Sequence, residues 1–157
     1  MTEQPVQILL LGSPLILVNG ESIQIQRRTV RSALFFLACQ GQQTGRADLL
    51  VLFWPDEPET KARANLRDMI SKLRGQLPVE DAVLSQGDFV TLNPEKVFVD
   101  VVEFRKLAAS ALQACEQTPY YQPLDADVVQ QMEQAVGLWR SDRFLAGSSL
   151  PSTWEFE

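Results

Sequence analysis

The chain has 157 residues, 45% hydrophobic and 22% charged, with a net charge of −6 and no histidine. That is ordinary soluble-globular composition, long enough to bury a core without disulfides or a structural metal. The missing histidine excludes a Ser-His-Asp triad, a Cys-His pair and any histidine-ligated metal, and the acidic balance argues against a surface that binds nucleic acid everywhere.

The first 25 residues read as a small antiparallel meander. Residues 6–11 are apolar and β-prone, Gly12-Ser13-Pro14 is a turn signal, and residues 15–18 form a second apolar run. Asn19-Gly20 is a two-residue hairpin signal, because both types tolerate positive φ. Ile23 and Ile25 then alternate with polar residues, as in a strand with one wet face.

Helical periodicity follows. Val30, Ala33, Leu34, Leu37 and Ala38 fall at helix spacing and end near Gly41. A shorter helix fits residues 46–53, with Asp48 favouring the dipole in its first turn, and Trp54-Pro55-Asp56 breaks it. The clearest helix covers 58–77: Ala62, Leu66, Met69, Ile70, Leu73 and Leu77 make one apolar stripe, and Pro78 stops it. Pro58 suits its first turn, and Asp56 and Thr60 are both candidates for its cap. Residues 83–85 and 89–92 read as a hairpin with Gly87 in the turn, and 97–99 as a further short strand. Strands, three helices and a hairpin are the element order of a winged helix preceded by a small sheet.

After Asp100 only helices are expected. Phe104, Leu107, Ala108, Ala111, Leu112 and Cys115 form one stripe; residues 118–123 link it to a second, with Val128, Val129, Met132, Ala135, Val136 and Trp139. Two amphipathic helices cannot bury both stripes fully by themselves, so they read as the opening of a helical repeat array, with the chain a fragment of a longer protein. The fold class is therefore α+β, with residues 1–100 as a winged-helix unit and 101–157 as the first, truncated part of a helical one.

Positive charge is confined to the first part. Residues 59–77 carry five basic residues against two acids, and Arg27, Arg28 and Arg31 cluster with no acid among them; from Val101 onward four basic residues face eight acids. On the 58–77 helix, Arg63, Arg67 and Arg74 line one flank of the apolar stripe with Ser71 between them, and Lys61, Asn65 and Lys72 line the other. In a major groove such a helix sets cations toward both phosphate walls, with Arg suited to guanine and Asn65 to adenine. A solvated helix face is the plainer reading of the same pattern. Arg27, Arg28 and Arg31 oppose a helix dipole that a phosphate would relieve, and an exposed edge explains them equally well. The hairpin tip carries Asp88, which phosphate repels, and reads as an ordinary surface turn. Trp54, Trp139, Tyr120 and Tyr121 are scattered over different elements and are expected to pack rather than to form a stacking platform.

Other chemistry finds no support. The chain has no phosphate loop. Cys39 and Cys115 match no zinc or redox spacing and read as free, buried thiols of a reducing compartment. The carboxylate pairs Asp56/Glu57 and Glu80/Asp81 lie in turns without an apolar pocket. No enzyme activity, cofactor, metal or catalytic residue is expected. With a polar start and residues 8–11 too short for a signal core, the expected location is the cytoplasm, with no membrane partner.

The residues also resemble a known family. Arg31-Ser32-Ala33-Leu34-Phe35-Phe36-Leu37-Ala38 resembles the first helix of the OmpR-type winged helix of SARP-type (antibiotic regulatory) transcriptional activators. Leu49-Leu50 with Phe53-Trp54-Pro55-Asp56-Glu57-Pro58 resembles that family's second helix and turn. Ala62-Arg63-Ala64-Asn65-Leu66-Arg67 and Ile70-Ser71-Lys72-Leu73-Arg74 resemble its recognition helix, and Gly87-Asp88-Phe89-Val90-Thr91-Leu92 its wing. Val99-Asp100-Val101-Val102-Glu103-Phe104 resembles the junction into the bacterial transcriptional activation domain, a helical array similar to tetratricopeptide repeats. Leu138-Trp139-Arg140-Ser141-Asp142 and Phe144-Leu145-Ala146-Gly147 resemble a segment of that domain, with Arg143 as an extra residue between them. The resemblance implies a sequence-specific activator that binds duplex DNA, as a homodimer on direct repeats, and contacts RNA polymerase. It implies DNA contact by Arg63, Asn65, Arg67, Ser71 and Arg74, and phosphate contact by Lys61 and Lys72. The rival is a protein-interaction module whose winged helix does not bind DNA. A continuous positive strip along the 58–77 helix favours the first; a strip broken by Asp68 and Asp88 favours the second.

Overall fold

The structure, a computed structural model, describes residues 4–148. Among them are seven strands and five helices. Strands β1 (Val6–Leu9), β2 (Leu15–Val18) and β3 (Glu21–Ile23) form the expected meander. Asn19 and Gly20 turn between β2 and β3, both with positive φ (51° and 84°), as the two-residue turn requires. Ile25 lies beyond β3, yet is buried. The sheet gains a fourth strand from far along the chain: β7 (Val97–Val99) pairs parallel with β1, giving the order β3-β2-β1-β7.

Helix α1 (Arg28–Gln40) is the hub of the core. Ser32, Ala33, Leu34 and Phe35 are all buried, so this helix is enclosed on most sides. It packs against helix α3 (Glu59–Gln76) and against helix α4 (Asp100–Gln117). It ends at Gly41 in the left-handed conformation (φ 63°), whose N–H bonds to the Leu37 carbonyl, the usual end for a helix whose next residue must reverse direction. Helix α2 (Arg46–Phe53) is seated by Leu49, its one fully buried side chain.

The α3 stripe is buried as expected through Ala62, Leu66, Met69, Ile70 and Leu73, and Leu77 is buried at its C-terminal boundary. Neither candidate cap is used: Pro58 holds the cap position without a side-chain bond, Thr60 is inside the helix, and Asp56 lies before it. Strands β5 (Val83–Gln86) and β6 (Phe89–Leu92) form the hairpin around Gly87. A two-residue strand, β4 (Thr44–Gly45), adds to β6 and completes a second sheet.

After Asp100 the described chain is helical, with α4 against helix α5 (Ala126–Gly137). Their shared surface is narrower than the two stripes: Leu112, Val129 and Val136 stay exposed. Trp139 meets Phe104 edge-on, with ring centres 5.6 Å apart, but the expectation of packing fails for the tyrosines. Tyr120 and Tyr121 touch each other on an exposed turn, because the α4–α5 connection lies beyond the core.

Besides the packing of α4 on α1 and β1, buried and surface hydrogen bonds tie the two halves. Asp100, 1% exposed, accepts hydrogen bonds from the N–H groups of Leu10 (2.8 and 2.9 Å) and Leu11 (2.9 Å). The residues after α5 return to the same segment: the Arg140 guanidinium donates to the carbonyls of Leu9 (3.0 Å) and Ser13 (2.7 Å), and the Leu145 amide to that of Leu10 (3.0 Å). Trp154 and its neighbours lie outside the described residues.

Candidate nucleic-acid interface

With its apolar stripe in the core, α3 turns its other side outward. Lys61, Arg63, Arg67, Ser71, Lys72 and Arg74 are exposed, and Asn65 is half-buried. The helix packs on α1, α2 and β5, while α4 packs on α1, α5 and β1.

Many of the cations are engaged. Lys61 pairs with Glu57 (2.9 Å) and Arg63 with Glu59 (2.7 Å), each four residues apart in the chain. Asp68 takes Lys72 (2.7 Å) and, across the gap to α1, Arg27 (3.2 Å). The hydrogen bond from Lys72 holds the Asp68 carboxyl below its usual range, helped by the charges of Lys72 and Arg27. Arg74 donates to the Val83 carbonyl (3.3 Å), and Arg31 to that of Ile25 (3.2 Å). Arg28 is exposed. Asp68 therefore does interrupt the positive strip on its α1 side, and Asp88 is exposed at the hairpin tip. All four ion pairs are at the surface, where such pairs contribute about 0–1 kcal/mol and exchange readily for another anion.

The fold thus brings Arg27, Asn65, Asp68 and Lys72 together on one flank, and Arg63 and Arg67 on the other; Arg28 and Arg31 stay apart on α1. On the second flank the sequence reading missed a residue. Arg46, first in α2, lines a cleft with Arg63, Arg67 and Thr60. As a single arginine beside a glycine it carries little signal; only the docking of α2 on α3 places it there. Among the described residues no cluster of His, Cys, Asp and Glu could hold a metal, and no helix is long and apolar enough to cross a membrane.

The chain is similar in fold to Mycobacterium tuberculosis EmbR. The EmbR structure, a complex with a low-affinity phosphopeptide, matches with a TM-score of 0.64 at 18% identity, over 91% of this chain. This chain spans 38% of the length of that one. No family model and no curated protein matches the chain.

Proposed function

We propose that the chain is the DNA-reading part of a transcription regulator of the SARP type. In this reading α1, α2, α3 and the β5–β6 hairpin are a winged helix-turn-helix, and α3 is its recognition helix. One observation carries the reading: α3 has its whole apolar stripe in the core and six basic or polar side chains in solvent. The EmbR-like fold and the motif order support it. Arg63, Asn65, Arg67, Ser71 and Arg74 face base edges, while Lys61 and Lys72, with Arg27, Arg28 and Arg31, face phosphates.

Residues 1–100 form the DNA-binding unit, and 101–157 begin a tetratricopeptide-like activation domain that contacts RNA polymerase. The protein acts in the cytoplasm and pairs with a second copy on direct repeats. The rival reading, a protein-interaction module, draws support from the four ion pairs that occupy Arg27, Lys61, Arg63 and Lys72. Selection of bound sequences from random duplex DNA separates the two: a recovered consensus supports the regulator, and no enrichment supports the rival.

A further inference from the structure

Between the C-terminal end of α1, strand β7 and the beginning of α4 lies a cavity of about 520 Å³. It stays open because β7 is the edge of its sheet, while β6, which also borders the cavity, belongs to the other one. Leu37, Val97, Val99 and Val102 give it an apolar lining, and its size is that of an ordinary small-molecule site. Only two charged residues line it, Glu103 and Lys106. They stand three residues apart on α4, yet neither makes a side-chain hydrogen bond or an ion pair among the described residues. The adjoining end of α1 is the negative pole of its dipole, and its last turn carries no basic residue. Arg105, which does not line the cavity, donates to one carbonyl there, that of Cys39. The cavity therefore offers an apolar body of space, one free carboxylate beside a negative helix end, and one free ammonium.

We infer that this cavity binds a small zwitterion with an apolar side chain, of the class of the apolar α-amino acids. Side chains three apart on a helix stand about 5–6 Å from each other at Cβ, a span that the neighbouring ammonium and carboxylate of one α-amino acid answer together. The ligand's ammonium meets Glu103 and the end of α1, its carboxylate meets Lys106, and its side chain fills the space between the valines. Such a ligand touches α1 and α4 at once, so it favours the docked arrangement of the two halves. The site holds whether or not α3 reads DNA.

The test titrates the methyl-labelled chain with L-leucine, L-methionine and L-phenylalanine, following methyl resonances by NMR. At least one is expected to bind with a Kd below about 1 mM. It shifts the methyls of Val97, Val99 and Val102, while those of Val51, exposed on α2, stay still. For leucine, the analogues 4-methylpentanoate and 3-methylbutylamine each keep the apolar body and one of the two charges, and each is expected to bind about tenfold more weakly, the loss of one charge-assisted contact. Lys106→Met weakens the amino acid about tenfold and leaves the amine unaffected; Glu103→Gln weakens it and leaves the carboxylate analogue unaffected. Failure of all three amino acids to bind overturns the site. Binding that leaves the three valines still, or that ignores both substitutions, overturns it as well. An analogue with one charge that binds as tightly as the amino acid overturns the zwitterion assignment.

Discussion

Asp100 is a carboxylate shielded from water, and it keeps its place through three hydrogen bonds from two backbone amides. Its position in the first turn of α4 adds the favourable end of a helix dipole. Asp100→Ala leaves the Leu10 and Leu11 amides buried and unpaired, and each such group costs about 1–3 kcal/mol. The expected result is a loss of about 2–5 kcal/mol in urea unfolding, with Asp100→Asn in between because its amide oxygen still accepts. Cys39, like Cys115 half-buried rather than buried as its sequence suggests, gives a pH-dependent signature. Burial pushes the Cys39 thiol from 9.0 to about 11, against the pull of Arg105 and with a smaller push from Asp100. The folded state therefore holds the proton more tightly than the unfolded one. That stability is complete below pH 9 and is lost as pH rises toward 11, at up to about 1.4 kcal/mol per unit. Comparing urea midpoints of the wild type and Cys39→Ala from about pH 8 to 11 isolates this slope, which the variant lacks.

At the scale of elements, legibility follows the range of the interactions. α1, α2 and α3 are readable because apolar spacing, Gly41 and Pro78 are local signals, and the hairpin is readable from Gly87. β4 is not, since two residues carry no periodicity and Thr44–Gly45 is a strand only because β6 lies beside it. Asp100 reads as one acid among several, because its amide partners lie ninety residues away. The basic flanks of α3 are legible as a pattern, but the role of Asp68 and the presence of Arg46 depend on how α1 and α2 dock. Gly41 links the local and the distant. Its positive φ disfavours any side chain, and a Cβ there would stand 2.9 Å from Cγ2 of Val102 in α4. Gly41→Ala is expected to lower stability by about 1–3 kcal/mol, combining backbone strain with that clash. Thermal unfolding checks it, and Val102→Ala in the same background should recover the steric part.

For the whole molecule, an acidic total and a basic face pull in opposite directions on a polyanion. Net charge −6 repels DNA at long range, while the exposed cations of α3 attract within about 10 Å at moderate salt. On the proposed DNA reading, binding is expected to be steeply salt-dependent: with about six phosphates neutralised, log K falls with log[salt] at a slope of about −5. Fluorescence anisotropy on a selected duplex measures it, and the double variant Arg67→Glu, Arg74→Glu is expected to lose binding at every salt concentration.

The parallel pairing of β1 with β7 joins Val6 to Val97 and Ile8 to Val99. During synthesis the N-terminal strand leaves the ribosome long before its partner exists. At roughly 5–20 residues per second, the gap of ninety residues lasts about 5–18 s. One edge of a newborn three-stranded ribbon stays unsatisfied for that interval, open to pairing with a neighbouring nascent chain. Crowded polysomes making this protein are thus a place where chaperone cover of the first strand has a physical purpose, and that need ends when β7 emerges.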